Sequence, residues 1–209
     1  MGKIDLKKEL QTFYNPSAGT VQIVRLPALR FLIIDGRGDP NTAPAYREAV
    51  AALFGLSYTL KFMLKREGGA DYGVMPLEGL WWTGNPADYA DFSPDHKELW
   101  QWTALMLQPD CIDPERVERA RSELHRKKDL PALDRVRLER FEEGLAAQIL
   151  HLGPYADEAP TIDRLHRFIA ENGYRRTGKH HEIYLNDPRR TAPGRLKTIL
   201  RQPIAAGGN

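Results

Sequence analysis

Two stretches of this chain read alike, and each sets a glutamate inside an apolar strand. The first is Met75-Pro76-Leu77-Glu78-Gly79-Leu80-Trp81-Trp82, the second His180-His181-Glu182-Ile183-Tyr184-Leu185. Each is followed by a strand-like run ending in Gln-Pro, Leu105 to Pro109 and Ile199 to Pro203. Upstream of each, an apolar strand enters a Gly/Pro turn and then a helix. Two copies of one module, related by a pseudo-twofold, bring matching strands to a common axis. They are expected to superpose Glu78 on Glu182 in one shared pocket. A partly buried carboxylate is costly unless something pairs with it or uses it, so the repeat reads as a binding or catalytic site.

The punctuation of the chain divides it in the same way. Ile4 to Tyr14 is a short amphipathic helix, ended at Asn15-Pro16. Val21 to Ile34 is β-rich, with Pro27 marking an edge or bend, and Asp35 to Pro40 is a turn cluster. A long helix from Ala43 to Lys65 carries Tyr46, Val50, Leu53, Ser57, Leu60 and Leu64 on one stripe and stops at Gly68-Gly69. Strands follow over Gly73–Trp82 and Leu99–Leu107, joined by a polar loop from Asn85 to Lys97. Cys111 to Lys128 is an inserted helix, with Asp113 as cap and Pro114 in the first turn. The second half opens on a strand from Arg137 to Leu152, in which Gly144 predicts a bulge or bend. Gly153-Pro154-Tyr155, a helix from Thr161 to Glu171 and the second strand pair complete it.

The order predicts an α+β fold of duplicated β-α-β-β modules, with antiparallel sheets, helices on the outer faces and a central ligand cleft. A single domain over residues 1–209 holds a first module at 21–110, the inserted helix at 113–128 and a second module at 135–204.

Charge narrows the partners. Thirty Lys and Arg against 28 Asp and Glu leave a net +2 of well-mixed signs, so no basic stripe argues for nucleic acid. The one cysteine, Cys111, has no internal partner, and no Cys/His cluster has zinc spacing. No apolar run approaches a membrane span and no charged-then-apolar leader opens the chain. The expectation is a cytoplasmic protein without metal or organic cofactor, with neither nucleic acid nor membrane as partner. The sequence does not set the oligomeric state.

Three blocks, taken in order, go further: Met75 to Trp82, the turn His151-Leu152-Gly153-Pro154-Tyr155, and Gly178 to Pro203. With them the chain resembles the GyrI-like small-molecule-binding family from Lys3 to Ile204. Within that family it is similar to stand-alone members known as hydrolases of cyclopropanoid antibiotics, rather than to members fused to a DNA-binding helix-turn-helix. The resemblance implies the duplicated fold, an aromatic-lined cleft with a glutamate in its floor, and opening of a spirocyclopropane fused to a dienone. The partner implied is a hydrophobic aromatic small molecule.

Strand alternation proposes which side chains share a face. Glu78, Leu80 and Trp82 fall together, as do His180, Glu182 and Tyr184, and as do Trp100, Trp102, Ala104 and Met106. The aliphatic sets suit the helix-packed faces, so the glutamate and aromatic sets are assigned to the cleft. The catalytic candidates are Glu182 as base, Glu78 as its partner and, through the resemblance alone, Tyr155. The ligand-binding candidates are Trp82, Trp100, Trp102, Tyr184, His180, Leu80 and Met106. Plainer readings stand beside these: Glu78 as a structural ion pair, some tryptophans as core, and His180 as a hydrogen-bonded histidine rather than a metal ligand. A non-catalytic binder of aromatic cations uses the same cleft, and a gyrase-binding inhibitor is a third possibility.

Overall fold

Two segments of this chain stay extended for sixteen residues each, β2 (Gln22–Arg37) and β6 (Arg137–Leu152). They pair antiparallel with one another along most of their length, and the rest of the sheet is built from their edges. The computed structural model describes residues 2–84 and 96–207. Residues 85–95 of the expected polar loop lie outside the described residues.

At the N-terminus, β1 (Lys3–Ile4) is followed by two single-turn helices, α1 (Leu6–Glu9) and α2 (Gln11–Tyr14), where one helix was expected. After β2 come α3 (Pro44–Arg66), β3 (Asp71–Tyr72), β4 (Leu77–Trp82) and β5 (Gln101–Leu107). The inserted helix is α4 (Pro114–His125), capped by the Asp113 side chain on the Arg116 N–H. Then follow β6, α5 (Ala159–Glu171), β7 (Tyr174–Arg176), β8 (His180–Tyr184) and β9 (Lys197–Ala206).

The strands run in the order β6-β2-β5-β4-β8-β9, and β9 pairs back onto β6, so six antiparallel strands close into a barrel-like sheet. Among the described residues, closure leaves no long unpaired edge to recruit other chains. β7 adds to the far end of β9, and β1 pairs parallel with β3 as a separate ribbon. Among the described residues no helix is long and apolar enough to cross a membrane.

Alternation splits the apolar residues between two sides. Phe31, Ile33, Leu80, Leu105, Leu107, Ile183 and Ile199 face inward and fill the barrel together with Tyr14 of α2. Leu32, Ile34, Trp102 and Ala104 face outward beneath Leu53, Leu56 and Leu60 of α3. Ala147, Ile149 and Leu200 do the same beneath Leu165 and Ile169 of α5.

One glycine is needed for this division. Glu143 and Gln148 both reach Arg201 inside the barrel, yet five residues separate them, and in a regular strand they would face opposite sides. Gly144 sits between with φ +73, a conformation open mainly to glycine. It turns the strand over without disturbing the register with β2. Pro27, opposite this point, lies in the stretch of β2 that pairs with β6 alone, where its missing N–H costs no second ladder.

Candidate functional site

The expected meeting of Glu78 and Glu182 does not occur, and the ladder register gives the reason. In the β4–β8 pair Glu182 lies opposite Gly79, while Glu78 lies opposite Ile183. Directly opposed residues share a face of the sheet, so the two glutamates point to opposite sides. Glu78 is turned into the barrel and has no exposure. Its Oε1 accepts from the Tyr14 hydroxyl at 2.6 Å, and its Oε2 lies 3.0 Å from His181 Nε2. The Nδ1 of His181 is 2.9 Å from Glu143, which also accepts from Arg201. Arg201 donates to Gln148 and to the Phe13 carbonyl, and Gln148 to the Thr12 carbonyl. This is a closed polar network that fastens α2 into the barrel. Glu78 takes the plainer reading, a structural ion pair, with histidine as its partner.

The outward face of β4 and β8 carries the other glutamate. Glu182 is held at one oxygen and faced at the other: Oε2 accepts from the Tyr184 hydroxyl at 2.8 Å, and Oε1 stands 3.3 Å from His180 Nε2. Tyr184 in turn accepts from the Trp81 indole N–H at 3.2 Å. Trp81 stands edge-on to Trp100 at 5.5 Å and tilted against Tyr46 of α3 at 5.5 Å. Tyr155, in the turn before α5, meets Tyr184 edge-on at 5.5 Å and is 39% exposed. Pro154-Tyr155 owes its position to Gly153 at φ +131 and to His151, whose ring spans the Thr161 hydroxyl and the Pro154 carbonyl. A carboxylate thus lies among five aromatic rings drawn from α3, β4, β8 and two connecting segments.

Glu158 completes the group. Only 6% exposed, it interacts electrostatically with Glu182, Tyr155 and Tyr184. It occupies the N-cap of α5, and its main-chain oxygen accepts from Thr161 and Ile162, but its carboxyl makes no capping bond to the helix. Its Oε1 is buried with no hydrogen-bond partner among the described residues. Burial, and then the charge of Glu182, push this carboxyl up to about 9. Burial and the neighbouring Glu158 and Glu182 push the Tyr155 phenol up to about 12. Burial and Glu182 also raise Tyr46 and Tyr184. Uncharged hydroxyls surrounding one carboxylate are what burial of several acids in one place enforces.

Of the sequence candidates, Glu182, Tyr184, His180, Tyr155 and Trp100 come together here. The others do not. Leu80 lies in the barrel core. Trp102 and Met106 are fully buried on the α3-facing side, Trp102 edge-on to Tyr46 and filling the space that Gly36 leaves open. Trp82 falls on the inward face of β4, its ring covered by the Lys179 ammonium 3.4 Å from the centroid. The alternation itself was right, since each set of residues does share a face. For Leu80 and Trp82 the error lay in matching the Glu78 face to the Glu182 face, which only the β4–β8 register fixes; Trp102 and Met106 do share the Glu182 face but are sealed beneath α3.

Tyr46, Trp81 and Glu158 were missed. Gly79 was a readable sign for Trp81, because a side chain there would stand 2.7 Å from the indole nitrogen. Nothing in the sequence singles out Glu158. No three His, Cys, Asp or Glu side chains among the described residues form a metal-holding group.

Comparison with known proteins gives this geometry a context. Residues 117–205 match the profile of the GyrI-like small molecule binding domain. The chain superposes on an uncharacterized conserved protein from Listeria innocua with a TM-score of 0.89 and 39% identity, covering 97% of this chain and 100% of that one. A hydrolase from Listeria innocua matches with a TM-score of 0.84 and 38% identity over the same shares. The C-terminal domain of EcmrR, at 11% identity and a TM-score of 0.54 over 90% of this chain and 98% of that one, shares the fold alone. No curated protein sequence matches the chain.

Proposed function

Because the chain belongs to the GyrI-like small-molecule-binding family, we propose that it binds hydrophobic aromatic molecules and hydrolyses the cyclopropane ring of cyclopropanoid DNA-alkylating compounds. The observation that carries this reading is the Glu182 carboxylate, held at one oxygen by Tyr184 and facing His180 at the other, in a setting of aromatic rings. Description of the Listeria relative as a hydrolase supports it.

In the proposed reaction a water oxygen bonds to the ring methylene while Glu182 takes the water's proton. The bond from that methylene to the spiro carbon breaks, and its electron pair moves through the dienone to leave a phenolate oxygen. Trp81 and Trp100 stack on the flat substrate, and the Tyr155 hydroxyl donates a hydrogen bond to the carbonyl oxygen as charge develops there. The reading includes neither a metal nor an organic cofactor, and places the activity in the cytoplasm.

The duplicated module belongs to the same proposal, with its equivalences corrected. Glu78 pairs with Leu105, three residues before Gln108, and Ile183 pairs with Ile199, three before Gln202. Setting the two Gln-Pro ends on one another therefore matches Glu78 with Ile183. Those two residues also face each other across β4 and β8, as a pseudo-twofold through that pair requires.

The test is product formation from a cyclopropanoid against an enzyme-free control. Glu182→Gln keeps shape and removes the base, so turnover should fall about a hundred- to ten-thousand-fold while binding persists. A second reading, a non-catalytic binder of aromatic cations, draws on the same carboxylate among π faces. Wild-type protein that binds a cyclopropanoid and accelerates nothing would establish that reading instead.

A further inference from the structure

Two carboxyl groups share this site, and they cannot both be ionised cheaply. Their surroundings differ. Glu182 accepts a hydrogen bond from the Tyr184 hydroxyl at Oε2, and its Oε1 stands 3.3 Å from the His180 imidazole. Glu158 is the more deeply buried of the two, its Oε1 meets no partner among the described residues and its carboxyl makes no bond to the helix it begins. Desolvation therefore falls on Glu158 with less compensation, and the shared proton belongs there. A buried, protonated carboxyl with Thr198 beside it and Oε1 unpartnered among the described residues has a hydrogen bond left to give at Oε1.

We infer that Glu158 is the acid of the site, donating its proton to the carbonyl oxygen of an uncharged aromatic ligand, so that the pocket selects flat aromatic ketones over hydrocarbons of the same shape. The inference rests on the proposed hydrolysis only for its chemical step. There, Glu158 gives its proton to the phenolate oxygen, leaving a phenol and a Glu158 carboxylate. Glu182 has meanwhile gained the proton from water. Passage of that proton from Glu182 to Glu158 restores the starting state, and the net change is addition of one water.

Tyr155 suits this transfer less well. Its hydroxyl, at about 12, is a poorer acid than the phenol formed, whose ordinary value is about 10. Glu158, at about 9, is matched to it. The groups acting on Glu158 are Glu182 and Tyr184 from β8, Tyr155 from its own turn and the Thr198 hydroxyl from β9, whose hydrogen bond only partly offsets burial and the Glu182 charge.

Three measurements test the assignment, two of them independent of any turnover. Infrared spectra near neutral pH should contain a protonated-carboxyl band that titrates away as the pH passes about 9. That band should vanish in Glu158→Gln and persist in Tyr14→Phe. A band unaffected by Glu158→Gln overturns the inference. In tryptophan-quenching titrations, fluorenone should bind the wild type about tenfold or more tightly than fluorene, a loss on the scale of one buried hydrogen bond to a ligand. Glu158→Leu should abolish the preference, and a preference that survives the change overturns the inference. If the wild type opens cyclopropanoids, Glu158→Gln should turn over about a hundredfold or more slowly. An undiminished rate there removes Glu158 from the chemistry but leaves Glu182 as base. Failure of the wild type to react sinks the hydrolase reading, while the first two measurements still decide where the proton sits.

Discussion

Among single residues, the site depends on a glycine whose contribution is the side chain it lacks. Gly79 lies opposite Glu182, and a Cβ there would meet the Trp81 indole at 2.7–2.9 Å. The indole folds back over this gap and donates to Tyr184, which steadies Glu182. Gly79→Ala should displace Trp81, cost about 1–3 kcal/mol through overpacking, and weaken quenching by aromatic ligands. Urea unfolding and a quenching titration read both effects; unchanged affinity would take Trp81 out of the pocket wall. Tyr14→Phe acts on the other side of the sheet. Removing the hydroxyl strands a buried Glu78 oxygen, so stability should fall by about 1–3 kcal/mol. Ligand affinity should not change, because Glu78 faces away from Glu182. A variant that loses affinity at full stability would return Glu78 to the site.

At the scale of elements, β6 does what a uniform strand cannot. Its first part sends Glu143 inward and its second part sends Gln148 inward, and Gly144 supplies the reversal between them. Gly144→Ala forces an L-residue into the left-handed region, costing about 1–2 kcal/mol. The loss should be visible in chemical denaturation. Equal stability would mean that the strand reaches both contacts without the special conformation. β8 works differently, alternating His180, Glu182 and Tyr184 outward with His181 and Ile183 inward. Five consecutive residues thereby serve the site on one side and the interior network on the other.

At the scale of the molecule, the barrel encloses ionised groups whose balance sets a pH window. Burial alone would raise Glu143, but the charges of His181 and Arg201 and their hydrogen bonds overcome it and hold it down, to about 2. Burial alone would lower His181, but the Glu143 charge and hydrogen bonds to Glu143 and Glu78 raise it. A depressed carboxyl contributes stability that is complete above its ordinary 4.5 and lost as the pH falls toward about 2. A raised histidine contributes stability that is complete below its ordinary 6.5 and lost as the pH rises through its folded value. The network is therefore fully stabilising between about 4.5 and 6.5. Thermal unfolding across pH should show its maximum there, and His181→Gln should reduce the decline on the alkaline side, leaving the part that belongs to Glu158, whose raised carboxyl also loses stability as the pH climbs toward about 9. A wild-type curve still rising above pH 7 would contradict this.

The elements and the faces they present are legible in the residues alone. Its turn residues, caps and apolar periods mark α3, α4, β6, α5 and the two strand pairs to within a few residues, and alternation groups the side chains of β4, β5 and β8 correctly. Local sterics and amphipathic period govern those features, and both are written in neighbouring residues. Register is another matter. Whether Glu182 sits beside Gly79 or Glu78 depends on how strands a hundred residues apart slide against each other, and a shift of one residue exchanges the two faces. Only the closed barrel fixed that, by burying Leu80, Ile183 and Ile199 together inside. With it came the separation of the two glutamates and the arrival of Glu158, which no local pattern joins to β8.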